Sequence, residues 1–125
     1  MNEYLDSIIK RDPAARSRLN ILINYPGVKA VAFYKISHSL WNFNLYLLAR
    51  MVSQFARFIT GVEIHPAAKI GKNLFLDHAN SIVIGESSII GDNCTIYHGV
   101  TLGGLSPSEN SLDQIGSKRH PTIED

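Results

Sequence analysis

Residues 63–104 read EIHPAAKIGKNLFLDHANSIVIGESSIIGDNCTIYHGVTLGG, and an aliphatic side chain recurs along them at every sixth position. Ile64, Ile70 and Leu76 form one run, and Ile84, Ile90, Ile96 and Leu102 form a second. A helix repeats at about 3.6 residues and a strand at about 2, so sixes fit neither; a short fixed repeat signals a solenoid. Six residues suffice for a short strand and a corner, and three such sides close a triangular coil. The aliphatic residue then points inward, and the slot four positions later holds Ala68, Ser88, Cys94 or Val100. Gly71, Gly85, Gly91 and Gly103 each follow the aliphatic residue, which predicts glycine at tight corners. The two runs are out of phase by two residues, which predicts a bulge at Ser81–Val83, and bulges of this kind often lie beside functional sites. Counted through that insertion, His78 and His98 are each third in their hexads and share one side of the prism on neighbouring rungs, about 4.8 Å apart in backbone. His65 falls on a different side.

Outward from this stretch, 125 residues make one domain, or one small domain behind a helical preface. Twelve basic residues against eleven acidic ones leave a net charge of +1, which gives no reason to expect nucleic acid. Cys94 is the single cysteine, so no internal disulfide forms and a cytoplasmic setting fits. The opening MNEYLDSIIKRDP is charged throughout and is not a secretory leader. Lys29, Lys35, His38, Arg50 and Arg57 interrupt the apolar region Ile21–Ile59, so we expect amphipathic helices there and no membrane span.

Taken in order, residues 3–10 read as a short helix, and Asp12-Pro13 reads as the cap and first turn of a second helix running to about Asn24. Tyr25-Pro26-Gly27 marks a turn. A third helix, Val28–Trp41, puts Val31, Tyr34, His38 and Trp41 on one face, where His38 reads as a packed or solvated helix residue. A fourth, Leu45–Thr60, ends at Gly61. These observations divide the chain into a helical part, 1–61, and a coil, 62–125, with a long polar loop at 105–118. Ile123 opens another hexad and the chain stops in mid-coil, which reads as a C-terminal truncation.

Several residues could carry chemistry. Asp77 and His78 are adjacent, but successive strand residues face opposite ways, so a direct bond between them is not expected. Glu63 lies fifteen residues before His78, where a carboxylate one rung below could reach the imidazole and fix its tautomer. Arg119 offers a planar fork for a carboxylate, and Asp12 and Asp77 offer charge for an ammonium. Zinc held by His65, His78 and His98 is the metal alternative; only two of the three share a side, so we expect no metal.

The segments RDPAAR (11–16), IHPAAKIG (64–71), LDHANSIVIGE (76–86), GVTLGG (99–104) and KRHP (118–121), in this order, resemble the serine O-acetyltransferases of the hexapeptide-repeat acyltransferases. The resemblance implies an α+β fold, an N-terminal helical domain followed by a left-handed parallel β-helix. It implies transfer of acetyl from acetyl-CoA, a co-substrate rather than a resident cofactor, to the hydroxyl of L-serine, giving O-acetylserine for cysteine synthesis. Carried over by motif, His78 is the general base and Glu63 orients it, while Asp12, Asp77, Arg119 and His120 hold serine; on chemical grounds, a backbone amide near Gly103-Gly104 could meet the thioester oxyanion of acetyl-CoA. The implied assembly is a homotrimer or a dimer of trimers.

This sequence departs from the pattern in several places. Asn80-Ser81 stands where a Thr-Gly or Gly-rich pair is usual, the loop before KRHP is longer and poorer in glycine, and the helical region is short. The later coils of the acetyl-CoA cleft and the tail that docks into cysteine synthase are not in the sequence, so docking is not expected. The alternatives are a non-catalytic remnant of the family and an acetyltransferase with another acceptor.

Overall fold

A computed structural model of the chain describes residues 2–104, 118 and 120–125. Four helices come first: α1 (Asn2–Arg11), α2 (Arg18–Asn24), α3 (Pro26–Asn42) and α4 (Tyr46–Thr60). Among the described residues eight short strands follow: β1 (Glu63–Ile64), β2 (Lys69–Ile70), β3 (Phe75–Asp77), β4 (Val83–Ile84), β5 (Ile89–Ile90), β6 (Thr95–Tyr97), β7 (Thr101–Leu102) and β8 (Thr122–Ile123). Strands β1 to β5 each pair in parallel with the third strand after them, in the orders β1-β4-β7, β2-β5-β8 and β3-β6. Every third strand thus returns to the same side, so the chain coils around a triangular prism. The hexad residues fill the interior, where Ile64, Leu76, Ile84, Ile90, Ile96 and Leu102 are buried together with Ala68, Leu74, Ile82 and Cys94. Ile123 pairs with Ile90, so the hexad expected at that residue does resume. The loop assigned to 105–118 lies outside the described residues except for Lys118.

The phase break is real, but its position differs from the one expected. Pairing is offset by twenty residues from β1 to β4 and by eighteen from β4 to β7, so the lower coil carries two extra residues. Val83 is a regular strand residue paired to Glu63 and Thr101. The irregular backbone is at His78, Ala79 and Ser81, whose φ angles are 60°, 65° and 63°. The bulge therefore occupies 78–81 rather than 81–83, in the corner between β3 and β4.

The glycines that follow the hexad residues also act differently from expectation. Among the described glycines, only Gly61 and Gly99 have positive φ, and the left-handed corners next to the hexad glycines are taken by Asn73 and Asn93. Gly71, Gly85 and Gly91 are needed for clearance between rungs. A Cβ on Gly71 would come within 2.3 Å of Asp92 Oδ1 and 2.8 Å of the Gly91 carbonyl carbon. Asparagine adopts the left-handed corner more readily than most residues, and the two corners are tied across the rungs by a bond from Asn73 Nδ2 to Asn93 Oδ1 at 3.0 Å.

The helices seat on one side of the prism. Leu5, Ile8, Ile21 and Val28 bury Phe75 of β3 in a second apolar cluster. Arg11, at the end of α1, donates to the carbonyls of Asn73 and Cys94 at 2.6 and 3.1 Å, tying two rungs to the helix. Gly61 ends α4 in the left-handed conformation, as expected, and its N–H donates to Arg57 O at 2.8 Å. Of the two readings of His38 the packed one holds, its Nδ1 lying 2.7 Å from Pro66 O and its ring stacked on Tyr34. Among the described residues no helix is long and apolar enough to cross a membrane.

Asp12 does not cap α2, contrary to the Asp-Pro reading. Ser17 is the N-cap, its Oγ accepting from Asn20 N, while Asp12 closes a separate turn by accepting from Ala14 N at 2.9 Å. The reason is geometric: residues 12–17 join the end of α1 to the start of α2 and fold as a turn, in which Ala15 N donates to Asp12 O, instead of continuing as helix.

Gly27 presses the start of α3 against the strand that leads to His78. An added Cβ would lie 2.4 Å from Leu76 O and 2.8 Å from Leu76 Cβ, and a strand backbone cannot step aside. Helix propensity favours alanine over glycine by about 1 kcal/mol. Overpacking costs about 1–3 kcal/mol, and here it meets backbone. We expect Gly27→Ala to lower the urea midpoint by an amount equivalent to about 1–2 kcal/mol, whereas propensity alone would raise it.

Candidate active site

The junction of α2 and α3 meets the β3–β4 corner around a cavity of about 320 Å³, lined by Asp12, Ala14, Asn24, Tyr25, Pro26, Leu76, Asp77 and His78. Asp12 comes from the turn after α1, Tyr25 from the helix junction, and Asp77 and His78 from the end of β3. Three of the residues singled out in the sequence, Asp12 and the distant neighbours Asp77 and His78, thus face one space. Asp77 is half-buried, and His78 stands out of the prism with 74% of its side chain exposed.

His78 owes its direction to the irregular corner. At φ 60° it has left the strand, so the alternation that would set it opposite Asp77 no longer applies, and its Nε2 lies 3.8 Å from Asp77 Oδ1. At that separation the two make no hydrogen bond, as expected, although both line the same cavity. Positive φ on non-glycine residues costs about 1–3 kcal/mol each and persists only when surrounding structure imposes it. Here Ser81 N donates to Gly61 O at 3.0 Å and Gly99 N donates to Asn80 O at 2.9 Å, pinning the corner from below and above. Ser81 stands at a backbone conformation that glycine adopts without strain. One rung up, the ring of His98 meets that of His78 edge to face, with centroids 5.5 Å apart, so the two histidines share a side as their hexad positions required.

Tyr25 is the residue that sequence reading missed. It caps the C-terminus of α2, precedes Pro26 at the start of α3, and stacks on Phe75 with ring centroids 6.3 Å apart. Its hydroxyl donates to Asp12 Oδ2 at 2.6 Å. Burial, then the hydrogen bond and charge of Asp12 and the charge of Asp77, push its pKa up to about 12, so the phenol remains a donor at neutral pH. Tyr-Pro-Gly reads correctly as a turn, but no periodicity tells that the tyrosine of that turn reaches Asp12.

The remaining candidates lie elsewhere. Glu63 is on the rung below the corner, paired with Val83, and its carboxylate lies 3.6 Å from Arg57 Nε. Among the described residues no hydrogen bond joins it to His78. His120 sits at the next corner of the prism, between β4 and β5, where its Nδ1 lies 2.8 Å from Ser87 Oγ and its N–H donates to that same oxygen at 2.9 Å. A Cβ on Gly85 would strike its ring, so glycine there makes room for the imidazole. Arg119 lies outside the described residues. Gly103 and Gly104 are exposed, directly after β7.

His65 is a structural histidine. Its Nδ1 accepts from Ala67 N at 3.0 Å and its ring meets the edge of Trp41. Burial, then the charge of Arg50 and more weakly His120, bring its pKa down to about 4 against the opposing pull of Glu86 and Glu63. The folded state therefore binds this proton less readily than the unfolded chain, and stability falls as pH drops from about 6.5 toward about 4. We expect urea midpoints measured across that range to fall less steeply in His65→Gln than in the parent. Among the described residues no group of three or more His, Cys, Asp or Glu could hold a metal ion.

No family model matches the chain. It is 50% identical over 119 residues to a serine acetyltransferase of Helicobacter pylori, covering 95% of this chain and 66% of that one. To a serine acetyltransferase of Staphylococcus epidermidis it is 49% identical over 125 residues, covering 100% of this chain and 55% of that one. The structure superposes on Neisseria gonorrhoeae serine acetyltransferase in complex with serine with a TM-score of 0.86 at 38% identity, covering 97% of this chain and 46% of that one. The chain thus spans roughly half to two-thirds of these curated relatives and under half of the solved protein.

Proposed function

This chain belongs to the serine acetyltransferase family, and from that premise we propose that it carries the acceptor half of a site that moves acetyl from acetyl-CoA to the hydroxyl of L-serine. The observation that carries the reading is the cavity that gathers Asp12, Asp77 and His78.

Neutral His78 takes the hydroxyl proton as serine oxygen attacks the thioester carbonyl, because an unassisted alcohol is too weak an acid to attack at neutral pH. The tetrahedral oxyanion then collapses, the carbon–sulfur bond breaks, and the imidazolium returns the proton to the departing thiolate. Products are O-acetylserine and free CoA thiol, with His78 regenerated. Asp12 and Asp77 face the ammonium and Arg119 pairs with the carboxylate, so that only the side chain of the acceptor meets the acetyl group. Backbone amides at Gly103-Gly104 stabilise the oxyanion. Glu63 orients His78 after releasing Arg57, a half-exposed contact worth about 1 kcal/mol or less.

The same reading makes the coil left-handed, with a helical part at 1–61 and the coil at 62–125, and places the protein in the cytoplasm. His120 sits a full side of the prism from His78, so the complete site draws Arg119 and His120 from a second subunit of a homotrimer. The face of α4 supports association: Leu47, Met51, Phe55 and Phe58 are all more than half exposed.

The test is release of CoA thiol from acetyl-CoA by the purified protein. We expect release that depends on L-serine. Folded protein that releases none would overturn the proposal, and release driven equally well by an amino sugar would reassign the acceptor.

A further inference from the structure

We propose that Tyr25 is a positioning residue for the acceptor's ammonium, acting by locking the Asp12 carboxylate so that its free lone pairs face the cavity shared with Asp77 and His78. The inference rests on the reading of that cavity as the serine site and assigns it a residue outside the motifs that carry the family likeness.

A carboxylate offers about four acceptor sites. At Asp12 two are taken from opposite ends: Oδ1 accepts from Ala14 N at 2.9 Å and Oδ2 accepts from the Tyr25 hydroxyl at 2.6 Å. Two fixed donors set the plane of the carboxylate, which a single backbone bond would leave free to turn. The remaining acceptor sites are then presented to the cavity instead of sweeping through it.

Tyr25 is itself well held. Its N–H donates to Ile21 O at 3.1 Å, its carbonyl accepts from Val28 N at 3.1 Å, and Pro26 restricts its backbone to the extended region, where φ is −95° and ψ is 106°. The ring cannot swing away without leaving Phe75, which is buried. The phenol therefore links the carboxylate to the base of β3, two residues from Asp77 and three from His78. Losing a hydrogen bond to a charged group corresponds to roughly tenfold or more in affinity.

Tyr25→Phe keeps the stack on Phe75 and removes only the hydroxyl, so the fold should survive, and thermal melting checks this. We expect the Kd and KM for L-serine to rise about tenfold, with kcat within about twofold of the parent and KM for acetyl-CoA unchanged. Binding of 3-hydroxypropanoate, which carries the hydroxyl and carboxylate but no donor in place of the ammonium, should be the same in both proteins. In an Asp12→Asn background, Tyr25→Phe should add little. Parent protein that binds L-serine no more tightly than Tyr25→Phe overturns the inference alone, as does an equal loss toward both ligands, which would mark Tyr25 as a general packing residue. Parent protein that binds no L-serine overturns the reading of the cavity and this inference with it.

Discussion

His78→Asn is expected to lower kcat for L-serine-dependent thiol release by about 10²–10⁴-fold, the range spanned by a lost general base. Asparagine is the better probe than alanine because residue 78 sits at φ 60°, a conformation that asparagine adopts more readily than most residues. The variant keeps the corner and its cross-rung hydrogen bonds, so thermal stability should match or exceed the parent. Since Asp12 and Asp77 are untouched, the Kd for L-serine should change by less than about threefold. A kcat within about tenfold of the parent, in protein that still binds L-serine, would remove His78 from the base role and leave the cavity as a binding site only.

How far this site could be read in advance depended on how each residue is held. Residues held by the hexad were legible, because Ile64, Ile84 and Ile96 must point inward every sixth place for the prism to have a core. That constraint also carries His78 and His98 to one side. It does not place the insertion: phase counting locates the two extra residues only somewhere between Leu76 and Ile84. The torsions that put them at 78–81 come from pairing to Gly61 below and to Gly99 above. Asp12 lines the cavity but was misread as a helix cap, since Asp-Pro is compatible with a cap or a turn and only the path of the following residues decides. Tyr25 escaped notice because its bond to Asp12 joins two irregular segments, where no period operates. The glycines show the same limit, for a close approach between rungs leaves no mark that distinguishes it from a left-handed corner.

Mixing two inactive variants should restore activity if the site is shared between subunits. His78 and His120 occupy successive corners of one prism, separated by an extended side of about 15–20 Å. That is too far for both to touch one serine-sized acceptor within a single chain. Around a threefold axis, one subunit presents its β3–β4 corner to a different corner of its neighbour, so His78 of one copy can meet Arg119 and His120 of the next. His78→Asn and His120→Asn would then each be inactive as homo-oligomers, the second retaining an acceptor for Ser87 N–H through the new amide. Denatured together in equal amounts and refolded, they should regain about a quarter of parental activity, because a site works only when a chain with intact His78 is followed by one with intact His120, each drawn with a chance of one half. Chains refolded separately and then mixed should regain little until subunits exchange. No recovery from co-refolded oligomers shown to contain both chains would place the whole site within one subunit, and Arg119 and His120 would then lose their proposed part in holding serine.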